Sequence, residues 1–114
     1  MTHHDETIRV RHMLDYAREA VEIASGKTVD DLAGSRVTQL ALTRAIEIIG
    51  EAASKVSGET RAKYPAIPWD EMIGMRNRLI HGYDSLDIDI ISATVLEDLP
   101  MLISQLEKII PDSK

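Results

Sequence analysis

Residues 69–83 read Trp-Asp-Glu-Met-Ile-Gly-Met-Arg-Asn-Arg-Leu-Ile-His-Gly-Tyr, and they indicate the fold class more clearly than any other stretch. Their apolar side chains recur at spacings of three and four residues, as on one side of an α-helix. Proline at position 68 suits the first turn of a helix, and Gly82 is a natural end for one. The stretch therefore predicts a helix that starts near Pro68 or Trp69 and ends near His81.

The apolar stripe of this predicted helix contains an arginine. The stripe comprises Trp69, Ile73, Arg76, Ile80 and Tyr83. Burying a guanidinium without a partner is costly, so we expect Arg76 to face a carboxylate, an aqueous cleft or a ligand anion. Glu47 and Glu51, which form a charged row with Arg44 at helical spacing, are the candidate carboxylates. The alternative is that this row is an intrahelical salt bridge.

Four further segments have the pattern of helices: residues 5–25, 35–56, 57–64 and 87–110. The helix 35–56 has two apolar rows, which is typical of a helix packed on several neighbours. These rows are Val37, Ala41, Ala45 and Ile48, and Leu42, Ile46, Ile49 and Ala53. No segment alternates like a β-strand. The sequence predicts an all-α fold, an up-and-down bundle of four to five helices in one domain, residues 1–114.

Local signals set the expected limits of these helices. Ser35 and Asp87 are suitable N-caps, and Gly26 is a natural stop for the first helix. Residues 27–34 are predicted to be a polar linker. Pro100 lies inside the last apolar stripe and is expected to kink that helix or to split it. That stripe comprises Ile88, Ile91, Val95, Leu99, Leu102, Leu106 and Ile109.

Composition excludes several classes of protein. The chain has no cysteine, which rules out disulfide scaffolds, thiolate metal sites and cysteine nucleophiles. No apolar run approaches the roughly 18 residues of a membrane span, and the N-terminus lacks the features of a signal peptide. We therefore expect a soluble, cytoplasmic protein. No glycine-rich phosphate loop or zinc-ligand spacing is present, and no metal or cofactor is expected. The net charge of −6 disfavours nonspecific binding to nucleic acid, so an RNA substrate would need a local basic site.

His81 follows Arg76 by five residues, which places the two about 140° apart on an ideal helix. Two arrangements could bring them together. The final turn of the helix could reorient the imidazole toward Arg76. Alternatively, two copies of the segment could meet across a dimer axis, so that one cleft holds two arginines and two histidines.

The sequence Arg76-(x)4-His81-x-Tyr83 resembles the signature of HEPN-domain toxins. The flanking residues, including Ile-Gly-Met-Arg-Asn and Leu-Ile-His-Gly-Tyr, are similar to the HepT-like branch of that superfamily. Ile-Ile-Gly-Glu-Ala-Ala at residues 48–53 has the same similarity. The resemblance covers nearly the whole chain. It implies a helical bundle that dimerises through the motif-bearing helix, so that two motif copies face one another.

The resemblance also implies a metal-independent endoribonuclease toxin of a type VII-like toxin–antitoxin pair, with tRNA or mRNA as the substrate. Arg76 and His81 would be its catalytic residues. The residues themselves suggest Asn77, Arg78 and Glu47 as supporting side chains. The partner would be a nucleotidyltransferase antitoxin that adenylylates Tyr83. In a residue-based interpretation, His81 exchanges a proton with the ribose 2′-hydroxyl or the leaving oxygen, and Arg76 stabilises charge on the phosphate.

Two alternatives stay open. The chain could be a catalytically inactive nucleotide-binding or scaffolding subunit of a nucleotidyltransferase complex, in which Arg76 binds a nucleotide phosphate without cleavage. It could also be a plain helical dimerisation module. Tyr83, likewise, could simply anchor the loop after the motif helix.

Overall fold

The computed structural model of the protein describes residues 3–79 and 86–110, with every side chain in these ranges except those of residues 3–5 and Arg76. Seven α-helices follow one another: α1 His3–Ala24, α2 Val29–Ala33, α3 Arg36–Ser54, α4 Gly58–Lys63, α5 Trp69–Leu79, α6 Ile88–Ala93 and α7 Leu99–Ile109. A single π-helical turn, Thr94–Asp98, joins α6 to α7. Helices make up 83% of the described residues, which contain no strand. The predicted all-α class is confirmed.

Helix α3 is the centre of the bundle, because it packs against α1 on one side and α5 on another. The predicted apolar row Leu42, Ile46, Ile49 and Ala53 is fully buried, with at most 1% of each residue exposed. Helix α7 packs against α1 and contributes Leu102 and Leu106 to the same core. Within the described residues, no helix is long and apolar enough to cross a membrane.

The second predicted row of α3 is only partly buried. Ala45 is 3% exposed and Ile48 is half-buried, but Val37 is 78% exposed and Ala41 is also at the surface. The prediction that this helix packs on several neighbours is confirmed, since α1, α2, α5 and α6 all contact α3. Its first turns nevertheless leave Val37 and Ala41 exposed.

The predicted linker 27–34 contains a helix, α2, so that expectation was also wrong. Thr28 and Asp31 form a capping box: the Thr28 hydroxyl accepts from the Asp31 N–H at 3.1 Å, and the Asp31 carboxylate accepts from the Thr28 N–H at 2.9 Å. Leu32 is fully buried and anchors this turn in the core. The Gln39 side-chain amide donates to the carbonyl of Leu32 at 2.9 Å, which fixes α2 to α3.

Helices α3 and α5 approach each other closely at Gly50. A methyl group on Gly50 would lie only 2.6 Å from the carbonyl oxygen of Met72 and 3.6 Å from that of Ile73. Any side chain at this position would push α5 away from α3. The glycine of the Ile-Ile-Gly-Glu-Ala-Ala element therefore determines where α5 lies.

Helix α4 is short and is held at its N-terminus by α1. Its cap, Ser57, accepts from the Thr60 N–H at 3.2 Å. The buried carboxylate of Glu6 in turn accepts from the Ser57 N–H at 3.1 Å and from the Ser57 hydroxyl at 2.8 Å. Arg61 reaches back to the end of α3 and donates to the carbonyls of Val56 and Ser54 at 3.0 and 3.1 Å. These bonds satisfy backbone groups that helix termini leave unpaired.

The last predicted helix is present, and it is interrupted close to Pro100, as expected. The π turn Thr94–Asp98 comes just before this proline, and the Leu99 N–H bonds to the carbonyl of Thr94, five residues back. Proline has no N–H and its ring clashes with the carbonyl four residues earlier, so the wider turn relieves a conflict that a regular α-helix would create. The predicted caps are also confirmed, since Ser35 accepts from Thr38 and Asp87 accepts from Ile90.

Replacing Gly50 with alanine is expected to destabilise the protein by about 1–3 kcal/mol, because the added methyl group overpacks the contact between α3 and α5. Gly74 is the matched control. It is also a helix-interior glycine, but a Cβ there meets nothing within 4 Å. Gly74→Ala should therefore stabilise α5 by about 0.5–1 kcal/mol. Urea denaturation measures both, and equal effects of the two substitutions would contradict the close approach.

The Glu6 carboxylate predicts a pH-dependent contribution to stability. Hydrogen bonding by the Thr60 hydroxyl, and then by Ser57, holds the pKa of Glu6 below its ordinary value although burial opposes this. A lowered pKa means stabilisation that is present above the unfolded-state pKa and is lost as pH falls through the folded-state pKa. Glu6→Gln should cost about 1–3 kcal/mol at neutral pH. The difference from wild type should shrink in acid, and a difference independent of pH would refute this account.

Candidate functional site

The motif lies at and beyond the end of α5. Positions 76, 77 and 78 belong to this helix, which the structure follows as far as Leu79. Ile80, His81 and Tyr83 lie outside the described residues, as does the side chain of Arg76. The predicted start near Trp69 is confirmed. The predicted end near His81 falls outside the described ranges and stays a prediction.

The buried side of α5 is broader than the predicted stripe. Trp69, Met72, Met75 and Leu79 are each at most 7% exposed, whereas Ile73 is only half-buried. The helix therefore buries a face centred closer to Met72 and Met75 than the predicted row did. Residues 69, 72 and 75 are three apart, and three residues fall short of a full helical turn. The buried face therefore lies to one side of Ile73. The Trp69 indole donates to the carbonyl of Tyr64 at 3.1 Å, which fixes the start of the helix.

A groove of about 380 Å³ runs between α3 and α5 beside the motif. Its lining residues are Gly50, Glu51, Ser54, Lys55, Ile73 and Asn77. The groove exists next to the close approach at Gly50, where the two backbones nearly touch. Position 76 comes three residues after Ile73 and directly before Asn77, so the motif arginine belongs to the segment that forms the groove wall.

The structure separates the two candidate carboxylates. Glu47 lies 3.5 Å from Arg44, so this pair is the intrahelical salt bridge that was the alternative interpretation. Glu51 instead lines the groove together with Ile73 and Asn77. Of the two glutamates, Glu51 is therefore the one that shares a groove with the motif helix. Its pairing with Arg76 stays a prediction, since the guanidinium is outside the described atoms.

Asn77 and Arg78 point to different sides of α5. Asn77 is in the groove, whereas the Arg78 guanidinium folds back along the helix and donates to the carbonyl of Glu71 at 3.3 Å. Arg78 also acts on Asp98: loss of solvent and the charges of Glu71 and Glu97 raise the pKa of Asp98, and Arg78 opposes that rise. The predicted supporting pair is thus not assembled at one place, and Arg78 belongs to a charged surface shared with the π turn.

Sequence reasoning did not single out Lys55, which is the cation among the described side chains that line the groove. Lys55 follows Glu51 by four residues and caps the end of α3. The i,i+4 spacing of Glu51 and Lys55 was visible in the sequence, but their common groove is produced by the contact with α5. The described residues contain no group of three or more His, Asp or Glu side chains that could hold a metal ion. The prediction of a metal-independent enzyme rests on the resemblance and stays a prediction.

Comparison with known proteins supports the resemblance seen in the sequence. Residues 13–109 match the family described as "Ribonuclease HepT-like". A protein of Caldanaerobacter subterraneus subsp. tengcongensis named "Putative RNase" is 34% identical over 105 residues, which cover 92% of this chain and 94% of that protein. No solved structure matches the chain significantly.

Two archaeal relatives agree with this match. A "Putative RNase" of Methanocaldococcus jannaschii is 32% identical over 95 residues, or 83% of this chain and 87% of that protein. A "Probable ribonuclease HepT" of Thermococcus cleftensis is 41% identical over 61 residues, or 54% of this chain and 56% of that protein. The chain therefore belongs to the HepT-like ribonuclease family, and the predicted endoribonuclease activity is confirmed at the level of that family.

Proposed function

We propose that this protein is a metal-independent endoribonuclease toxin whose catalytic residues are Arg76 and His81. The observation that supports the proposal is that the family match includes the helix that borders the groove. The family match spans residues 13–109, and within it α5 borders a groove that Asn77 and Glu51 line. The helix that carries positions 76 and 77 thus lies beside a space that an RNA phosphate can enter.

The proposed chemistry needs only side chains and the RNA itself. Neutral His81 takes the proton of a ribose 2′-hydroxyl, and the resulting oxygen attacks the adjacent phosphorus. The bond from phosphorus to the 5′-oxygen breaks, and that oxygen takes up a proton. The products are a 2′,3′-cyclic phosphate and a 5′-hydroxyl. The ordinary imidazole pKa near 6.5 suits both proton transfers close to neutral pH.

Arg76 is assigned to the phosphate. Its forked donors can bind two non-bridging oxygens and stabilise the charge that develops in the transition state. A carboxylate beside the guanidinium would hold the fork in one orientation. Glu51 is the better placed of the two glutamates, because it lines the groove with Asn77 whereas Glu47 is paired with Arg44. Asn77 can add a neutral hydrogen bond to the phosphate or a base.

The site is proposed to be completed by a second copy of the chain. Arg76 and His81 are about 140° apart on an ideal helix, so a single regular helix would not direct both side chains to one phosphate. If two motif segments meet across a twofold axis, one His81 can act as the base and His81 of the partner subunit as the acid. The enzyme would act in the cytoplasm, where RNA and the antitoxin are both available.

Removing either catalytic side chain should abolish RNA cleavage. We expect His81→Ala to lower the rate by about 10²–10⁴, the usual contribution of a general acid or base. Arg76→Ala should lower it by about 10²–10³. Arg76→Lys should rescue only part of this loss, because it keeps the charge but not the fork. The measurement is cleavage of total cellular RNA in EDTA, with identification of the new termini.

Arg78→Gln is the matched comparison for this experiment. It removes the same charge from the same helix, but the Arg78 guanidinium faces Glu71 rather than the groove. Its loss of activity should be much smaller than that of Arg76→Ala. Wild-type protein that leaves RNA intact while retaining a bound nucleotide would contradict the nuclease and favour the nucleotide-binding scaffold.

We further propose that a nucleotidyltransferase antitoxin neutralises the enzyme by modifying Tyr83. The phenolic oxygen attacks the α-phosphorus of ATP, pyrophosphate leaves, and the phenol proton is lost to solvent. The attached AMP adds bulk and negative charge two residues from His81. It would exclude RNA by steric hindrance and by repulsion, as other charge-adding modifications do.

Co-expression with the nucleotidyltransferase should add the mass of one AMP to the wild-type chain and stop its cleavage of RNA. Tyr83→Phe lacks the accepting hydroxyl, so it should stay unmodified and stay toxic in the presence of the antitoxin. Intact-mass spectrometry and growth curves provide the two measurements. A Tyr83→Phe chain that is neutralised as well as wild type would overturn this form of regulation.

A further inference from the structure

We propose that the surface between α1 and α3 is a groove that binds single-stranded RNA and guides it to the cleavage site. The proposal rests on the proposed ribonuclease function and adds to it a location for the nucleotides beyond the scissile bond. Three observations support it: the groove adjoins the site, its middle part is basic, and two rings lie along it.

The groove adjoins the site through two side chains of α3. Helices α1 and α3 border a hollow of about 340 Å³ whose lining residues include Arg9, His12, Glu51 and Lys55. Glu51 and Lys55 also line the hollow between α3 and α5 that contains Asn77. The two hollows are therefore neighbours, and the proposal requires a bound chain to pass from one to the other beside Glu51 and Lys55.

A third hollow extends the same groove along α1. It has a volume of about 560 Å³, and it shares His12, Ile48 and Glu51 with the hollow of about 340 Å³ between α1 and α3. Tyr16 and Arg44 line it as well. Because neighbouring hollows share lining residues, we refer to the three together as the trough, which extends from Asn77 on α5 to Arg44 on α3.

The charge of the trough differs from that of the whole chain, which carries −6. The middle hollow holds Arg9 and Lys55, and Glu51 is the acidic side chain in its lining. The other acidic residues of the trough, Asp15 and Glu19, lie in the third hollow. We therefore assign phosphate binding to the middle hollow, where Lys55 and Arg9, which also interacts electrostatically with Glu6, outnumber Glu51. A local basic site of this kind is what a protein with a negative net charge needs in order to bind RNA.

The two rings of the trough suit unpaired bases. His12 and Tyr16 are four residues apart on α1 and so lie on one face of that helix. Basic grooves with ring side chains along them are the usual way in which proteins hold single strands, because each exposed base can stack on a ring. A duplex keeps its bases stacked inside and would leave both rings without a partner.

The test measures binding of a uridine oligomer of about 12 nucleotides to the cleavage-inactive His81→Ala protein at several salt concentrations. Replacing Arg9 and Lys55 together by glutamine should reduce the slope of log Kd against log salt by about 1.4, or 0.7 for each lost phosphate contact. His12→Ala should weaken binding about fivefold or more without changing the slope, because base stacking releases no counterions.

The control pair is Lys27→Gln with Lys108→Gln, which makes the same change in net charge at side chains outside the lining of the trough. This pair should leave both the slope and the affinity near those of the parent. If the control pair changed the affinity and the slope as much as the trough pair does, the response would be to net charge alone. That result would overturn the proposed RNA-binding role of the trough. So would a trough variant whose weaker binding is accompanied by a changed oligomeric state in size-exclusion chromatography.

The same proteins with His81 restored separate failure of the groove from failure of the proposed function. Wild-type protein that cuts RNA, with both pairs of variants binding alike, would overturn the groove alone. Wild-type protein that does not cut RNA would overturn the ribonuclease function, whatever the binding data show. If both are correct, the trough variants should lose more kcat/KM on long RNA than on a dinucleotide, and the control pair should not.

Discussion

The close contact between Gly50 and the backbone of Met72 is the constraint on which the rest of the structure depends. It sets the distance between α3 and α5, and that distance determines how the motif segment sits against the central helix. If α5 moved outward by the width of one methyl group, the groove that Asn77 and Glu51 line would become wider. The site is therefore built on a contact between two backbones and depends only indirectly on its polar side chains.

Polar side chains that form hydrogen bonds to backbone groups also hold the helices together. Glu6, Gln39 and Arg61 each bond to the end of a different helix from the one that carries them. The two shortest helices of the first half, α2 and α4, are too short to be stable alone, since an isolated helix of their length is marginal in water. These bonds, together with the burial of Leu32, hold them in place.

The sequence predicted the long helices well because their signals are local. Ser35 and Asp87 cap as expected, and the row from Ile91 to Leu106 is buried as expected. Helix α2 was missed because its capping box contributes little unless Leu32 finds a core to enter. Whether Val37 is covered likewise depends on the length and position of neighbouring helices, which the periodicity of α3 does not contain.

The candidate site likewise has features that the sequence predicts and features that only the packing of the helices produces. The motif residues Arg76, Asn77 and His81 could be identified from their order in the chain. The different directions of Asn77 and Arg78 follow from the 100° turn per residue of a helix, but which of them meets the groove depends on where α3 lies. Lys55 is far in sequence from Arg9 and His12, and only the packing of α1 on α3 brings it close to them.

The π turn before Pro100 has a consequence for the helical phase of the last two helices. A π turn takes more residues per revolution than an α turn, so it makes α7 lag in rotation relative to α6. The helices on either side can therefore each direct apolar side chains at the core: Ile91 before the turn and Leu102 and Leu106 after it, with Val95 buried in the turn itself. At this turn the number of residues in the chain and the rotation of the helix are no longer strictly linked. One residue inserted or deleted within residues 94–98 should therefore disturb the core less than the same change elsewhere in these helices.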